Sequence, residues 1–229
     1  MTGLLRSSMS GLLCRRDVSN TVWYLAGGAP TPLAVYQPIG AADYAASLIN
    51  LANPGTNNAY AGAAPSWAAG TGWSFLAASS QYLKTGITVT NTTDRAVLIR
   101  FANRATNGYL FGTITVTGSQ YAVTVQGNNG SNKRAYGNGG QRAVDAAITA
   151  GVVGFASDRA YLNGVDDGQI SSTYTFASNL EAFIGCRNFN GSPNTYQTLD
   201  VMAFVWWSTS VGHATWMPAV SAAMVALTG

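Results

Sequence analysis

The chain has 229 residues, 47% of them apolar and only 9% charged, with a formal net charge of +3. That length admits one large domain with a sizeable core, while a charged share far below the usual quarter or so leaves a surface of Ser, Thr, Asn, Gln and Gly, a composition associated with extracellular adhesive and virion proteins. A small net charge without a basic stripe excludes a nucleic-acid binder, and no apolar run approaches the roughly 18 residues of a membrane span.

Residues 1–35 stand apart from the rest. The pairs Leu4-Leu5 and Leu12-Leu13 alternate with Arg6, Arg15 and Arg16, and a Gly-Gly-Ala-Pro-Thr-Pro break follows at residues 27–32. The leucines are too interrupted for a secretory signal, and Asp17 follows Arg15-Arg16 where a twin-arginine signal needs an apolar stretch. We therefore expect an arm of low intrinsic order, a short strand at residues 21–25 and a linker ending near Pro32. Such an arm calls for a partner or a symmetric assembly to hold it, its leucines buried against neighbouring subunits and its arginines set on acidic groups. Cys14 and Cys186 lie too far apart for metal-ligand spacing, and two cysteines make no disulfide framework.

Residues 41–52 can form one or two helical turns, stopped by Asn53-Pro54-Gly55. Strands are then predicted at residues 73–75, 82–83, 96–102, 109–117, 120–126, 133–136, 143–149, 152–155, 160–162, 182–186 and 199–207, separated by short Gly/Asn/Ser turns. Within residues 153–168 the Asn163-Gly164 pair supplies the positive φ angles of a tight turn. Helical spacing of apolar residues over 214–227 predicts one C-terminal helix. Many short strands with even turn spacing imply an antiparallel sandwich, jelly roll or barrel.

Catalytic chemistry finds little to work with. Glu181 is the single glutamate and His213 the single histidine. No Gly-x-Ser-x-Gly elbow places a nucleophile, and Asp166 and Asp167, adjacent on a strand, point to opposite faces. The aromatic residues argue better for binding, because sugar rings stack on Trp or Tyr while Asn and Gln reach hydroxyls. Trp206 and Trp207 must face opposite ways; we expect one in the sandwich core and one under the C-terminal helix, with Trp67 and Trp73 likewise packed inside. The loop at residues 127–142 is the exposed candidate for glycan contacts, through Asn128, Asn129, Asn132 and Tyr136. Its other reading is a solvated hairpin tip.

Six phrases in order carry a family resemblance: Ala46-Ser-Leu-Ile-Asn-Leu-Ala-Asn-Pro-Gly55, Ala64-Pro-Ser-Trp67, Gly72-Trp-Ser-Phe75, Gln81-Tyr-Leu-Lys-Thr-Gly-Ile87, Tyr161-Leu-Asn-Gly-Val165 and Phe183-Ile-Gly-Cys-Arg-Asn188. With the predicted elements, residues 36–229 resemble the laminin G-like branch of the concanavalin A-like lectin/glucanase superfamily. The resemblance implies an all-β, two-sheet antiparallel jelly-roll sandwich at residues 36–229, preceded by an extended N-terminal arm and linker at residues 1–35 and ending in a short helix. Glycosidases of that superfamily carry a Glu-x-Asp-x-x-Glu strand whose carboxylates sit about 5–5.5 Å apart for a retaining mechanism; a chain with one glutamate lacks that motif. Some laminin G-like domains hold calcium on loop oxygens, which leaves Asp158, Asn163, Asp166 and Asp167 as calcium candidates and no other cofactor expected.

Many relatives of this branch are components of bacteriophage virions, and some bind carbohydrate. The resulting expectation is a non-enzymatic phage virion structural protein, a capsid decoration, head spike or tail-associated subunit. It would be made in the host cytoplasm and displayed on the outer surface of the virion, with virion proteins, copies of itself and cell-surface glycan as partners. The alternative is a free carbohydrate-binding module. An enzyme with an unfamiliar site is a third reading, against which the carboxylate inventory argues.

Overall fold

Nearly every run of alternating apolar residues in this chain becomes a strand. In the computed structural model, which describes residues 22–90, 93–115, 122–171 and 179–229, these are β1 (Ala34–Tyr36), β2 (Tyr60–Ala63), β3 (Ser66–Ala68), β4 (Gly72–Phe75), β5 (Tyr82–Thr88), β6 (Ala96–Ala102), β7 (Phe111–Ile114), β8 (Ala122–Gln126) and β9 (Arg134–Asn138). They continue with β10 (Gln141–Val144), β11 (Gly151–Ala156), β12 (Arg159–Leu162), β13 (Val165–Gln169), β14 (Glu181–Ile184), β15 (Arg187–Phe189), β16 (Ser192–Asn194) and β17 (Leu199–Trp207). Two α-helices, α1 (Tyr44–Ser47) and α2 (His213–Val225), and the 3-10 turns Trp23–Gly28 and Ala77–Ser79 complete the described elements.

The strands form two sheets. The first runs β13-β12-β11-β6-β17-β4-β3, with β1 sharing the edge of β17 that β4 also uses; the second runs β10-β9-β8-β7-β14-β5-β2, with the β15–β16 hairpin joined to β7. Apart from the parallel contact of β15 with β7, the pairings are antiparallel. The chain is thus the expected all-β two-sheet antiparallel sandwich with a short C-terminal helix.

The sheets meet over one apolar core that includes Tyr36, Trp73, Phe75, Leu83, Phe101, Phe111, Tyr136, Phe155, Phe204 and Trp206. A second cluster fills the space between the first sheet and α2, with Trp23, Leu98, Val205, Trp207, Trp216, Met217 and Val220. Strand β17 serves both. Leu199 and Val201 face the inter-sheet core, and an irregularity between Val201 and Ala203 then shifts the register. Because side chains alternate with period two, that one extra residue turns Phe204 and Trp206 inward and Ala203, Val205 and Trp207 toward α2. The two tryptophans therefore take the opposite sides that adjacency requires: Trp206 packs edge-on to Phe111 at 6.1 Å, and Trp207 lies 4.7 Å from the Trp216 ring and donates to the Pro30 carbonyl at 2.9 Å.

The Asn163-Gly164 turn forms between β12 and β13 with φ of 50° and 80°, as that dipeptide favours. Other readings are corrected. The strand expected at residues 21–25 is the 3-10 turn Trp23–Gly28, whose Trp23 indole donates to Gln37 Oε1 at 2.7 Å and is buried beside α2, so this segment of the expected linker is packed into the fold. The strand expected at residues 143–149 ends at Val144, where Ala146 turns back to the Val144 carbonyl and Ile148 donates to the Gly127 carbonyl. Strand β13, Val-Asp-Asp-Gly-Gln, was not recognisable as a strand because it lies at the sheet edge with mostly polar side chains.

Candidate functional site

Helix α2 and the Trp23–Gly28 turn cover the outer face of the first sheet, so attention falls on the outer face of the second. On β5 the alternation is clean: Leu83, Thr85 and Ile87 are buried, while Tyr82, Lys84 and Thr88 lie on the other face. The register sets Lys84 between Tyr60 of β2 and Phe183 of β14. Phe183 points outward, since Ala182 and Ile184 on either side enter the core, yet it is only 3% exposed. The Tyr82 ring packs on it at 5.0 Å, and the Lys84 ammonium lies 5.8 Å from its centre and 5.6 Å from that of Tyr60.

Two details fix these rings. A Cβ on Gly62 would come within 2.0 Å of Tyr82 Cζ, so the Tyr82 ring lies directly on the bare Gly62 backbone, a close approach that only glycine permits. Tyr60, 47% exposed, donates its hydroxyl to Glu181 Oε2 at 2.9 Å, and the other oxygen of Glu181 accepts from the Gly86 amide at 2.6 Å. Burial first, and then the bond to Glu181, raise the Tyr60 pKa; burial likewise raises that of Tyr82. Both phenols stay protonated at neutral pH.

A second aromatic group adjoins the first. Tyr196 lies 6.2 Å from Tyr82, and the Thr195 carbonyl beside it accepts from the Tyr109 amide at 3.4 Å. The Arg187 guanidinium lies over the rings of Tyr109, at 4.7 Å, and Phe189, at 5.0 Å. It donates to the Tyr109 hydroxyl at 2.8 Å and, through Nε and Nη2, to Asn194 Oδ1. The outcome is a strip of partly exposed rings with protonated hydroxyls and two cations, able to stack on the apolar face of a sugar ring and to bond its hydroxyls.

The residues singled out from the sequence lie elsewhere. Leu4, Leu5, Arg6, Leu12, Leu13, Arg15 and Arg16 fall outside the described residues. In the loop after β8, Asn128 and Asn129 accept from the Gly130 and Ser131 amides, closing local turns, and Asn132 takes a left-handed φ of 58°. Tyr136 is a correction: it is 1% exposed and belongs to the core, where its hydroxyl donates to Asp167 Oδ2 at 2.7 Å. The calcium candidates also do not converge. Asp158 accepts from Gln169, Asn163 from the Val152 amide, Asp166 from the Gly168 amide, and Asp167 pairs with Arg134 at 2.5 Å on the opposite face of β13. Among the described residues no group of three His, Cys, Asp or Glu side chains is placed to hold a metal ion.

His213 begins α2 and lies 2.8 Å from the Tyr161 hydroxyl, with burial holding its pKa below the ordinary value. Trp73 and Trp67 are packed inward, donating to Ser47 Oγ and the Pro38 carbonyl. A recess of about 470 Å³ opens on the other sheet near Asn163, Met202 and Val225. Its cation, Arg100, is used to bond the Met224 and Leu227 carbonyls at the end of α2, so that recess supports the helix.

Sequence reasoning missed the aromatic strip. Tyr82 was legible as a strand residue, but Lys84 lies beyond the strand expected at residues 82–83, Tyr60 sits in Asn-Asn-Ala-Tyr-Ala-Gly-Ala, which shows no strand pattern, and pairing β5 with β14 joins residues about a hundred positions apart.

No protein-family model matches the chain, and no curated protein matches it in sequence. Its fold is similar to solved structures of sialidases. A mutant of Trypanosoma rangeli sialidase displaying trans-sialidase activity superposes with a TM-score of 0.54 at 11% identity, over 86% of this chain and 34% of that one. Trypanosoma rangeli sialidase in complex with 2,3-difluorosialic acid gives 0.52 at 10% identity, over 85% and 33%. The chain thus spans about a third of the length of these proteins, and the likeness is one of β-sandwich fold. The expectation of a phage virion structural protein is corrected by this finding: these similar folds are those of sialidases. Among the described residues, no helix is long and apolar enough to cross a membrane.

Proposed function

We propose that this chain is a non-catalytic carbohydrate-binding module of the laminin G-like type, binding glycan on the outer face of its second sheet. The observation that carries the reading is the strip of Tyr60, Tyr82 and Tyr196, whose rings are partly open to solvent, seated on the buried Phe183 ring and beside Lys84 and Glu181. Tyrosine suits this task, giving a rigid apolar ring and a polar tip in one side chain.

The carboxylates support binding over turnover. Glu181 is committed to Tyr60 and Gly86, Asp43 caps α1, Asp94 holds Ser210, Asp200 accepts from Asn103, and Asp145 pairs with Lys133. With Asp158, Asp166 and Asp167 tied as described above, each described acid serves a local structural partner.

The test is a glycan array probed with the full chain and with Tyr82→Ala. Binding to a defined glycan that the variant loses, with near-UV circular dichroism unchanged, is the expected result. Binding that survives both Tyr82→Ala and Tyr60→Ala would remove the strip from consideration.

A further inference from the structure

The two cations of the aromatic strip differ from five others of the sandwich. Lys133, Arg134 and Arg159 each face a carboxylate, Asp145, Asp167 and Asp166 respectively. Arg100 and Arg104 are spent on backbone carbonyls. Lys84 and Arg187 instead rest on aromatic rings, and among the described residues neither forms an ion pair. A ring face attracts a cation through its quadrupole but carries no charge, so the positive charge remains available to an incoming anion.

The two are not equivalent. Lys84 lies over the Tyr60 ring, whose hydroxyl is bonded to Glu181, so a carboxylate already offsets the charge at that end. Arg187 has only neutral acceptors, the Tyr109 hydroxyl and Asn194 Oδ1. Those bonds take one N–H from each of its three nitrogens, leaving one N–H on each terminal nitrogen. The guanidinium is held by hydrogen bonds from all three nitrogens and by the Tyr109 and Phe189 rings beside it, and a planar fork so fixed suits a planar carboxylate.

We infer that the glycan taken by this face is an acidic one, a carboxylate-bearing saccharide whose acid group lies on Arg187 and whose neighbouring ring reaches Tyr196 and Tyr82. The inference rests on the carbohydrate-binding reading above and names its ligand class. Glu181 sets the polarity of the site, repelling the acid from the Lys84 end and directing it to Arg187.

Calorimetric titration of the full chain with matched probes tests it: 3′-sialyllactose against its sialate methyl ester, and tetragalacturonate against its methyl ester. Each pair keeps the apolar sugar surface while removing the charge, and the two arms separate a sialate from a uronate source. The acid of at least one pair should bind about tenfold or more tightly than its neutral partner, with the advantage shrinking as salt is raised. Arg187→Gln should erase the advantage, Arg187→Lys should keep only part of it, and Lys84→Met should affect it less than Arg187→Gln does. Equal affinity within both pairs, acid and neutral alike, overturns the acidic-glycan inference and leaves a neutral-glycan module standing. A preference that survives Arg187→Gln overturns the assignment to Arg187. Failure of these probes and of every array glycan overturns the carbohydrate reading together with the inference.

Discussion

The outer faces of the two sheets both carry aromatic residues, and they treat them in opposite ways. On the first sheet Trp207 and its partner Trp216 are almost wholly buried under α2, and each indole N–H is spent on a carbonyl, Pro30 for Trp207 and Val211 for Trp216. On the second sheet Tyr60, Tyr82 and Tyr196 keep part of their surface in water beside Lys84 and Arg187. An indole with one donor is closed off by a single carbonyl, whereas a phenol or guanidinium has more bonding capacity than its neighbours fill. Aromatic content is therefore a poor guide to binding here. What separates a packing face from a recognition face is the polar capacity left over once the fold has formed.

The sharpest test of that contrast substitutes one ring on each face. Trp207→Ala removes a fully buried side chain and leaves a cavity, so it should cost about 3–5 kcal/mol and lower the unfolding midpoint by roughly 10 °C. Glycan affinity of the folded fraction should stay unchanged. Tyr82→Ala should do the reverse, costing about 1 kcal/mol of stability while weakening glycan binding by tenfold or more, about 1.4 kcal/mol. Thermal denaturation and titration calorimetry on both variants check the pair. Loss of affinity in Trp207→Ala, or of stability alone in Tyr82→Ala, would dissolve the distinction between the faces.

How much of this was readable in advance follows from the same contrast. The strands β6 and β17 emerged with their bounds intact, because both are mostly apolar runs, each broken by one charged residue, Arg100 or Asp200, and the opposite fates of Trp206 and Trp207 followed from adjacency on a strand. Tyr136 was misplaced because a tyrosine next to Gly and Asn in a polar stretch looks exposed; its inward direction is set by pairing with Val125, a register decided across strands. The recognition face depends on register in the same way. Tyr60, Lys84 and Phe183 become neighbours only after β2 and β14 pair with opposite edges of β5.

Asp167 gives the next largest effect and concerns the closed interior. Burial acts to raise its pKa, but hydrogen bonds from Arg134 and Tyr136 outweigh that and hold it below the ordinary aspartate value. Its folded pKa is depressed, so the stabilisation is fully present above the unfolded pKa near 3.8 and is lost as pH falls through the folded value. The Arg134 and Asp167 side chains are only 9% and 13% exposed, so solvent screens the pair weakly. Asp167→Asn should cost about 3 kcal/mol at pH 7, since it leaves Arg134 charged and unpaired. Urea unfolding from pH 7 to pH 2 should show the gap between wild type and variant closing below pH 4 or so. A gap that stays constant across that range would mean the pair contributes no pH-dependent stability.

The smallest effect is the most specific to the open face. Gly62→Ala removes no ring that would bind sugar, yet its Cβ would stand 2.0 Å from Tyr82 Cζ and drive that ring off its seat. The backbone of Gly62 has no positive φ to protect, so the substitution should change stability by no more than about 0.5–1 kcal/mol. Glycan affinity should nonetheless fall by a few fold, about 0.5–1 kcal/mol, with Tyr82 still present. The displaced ring can be followed independently through its contact with Phe183, read as a change in the aromatic proton shifts of both residues. Shifted resonances with unchanged affinity would mean that Tyr82 binds through its hydroxyl or not at all; shifted resonances with weakened affinity would assign the binding to the ring face that Gly62 supports.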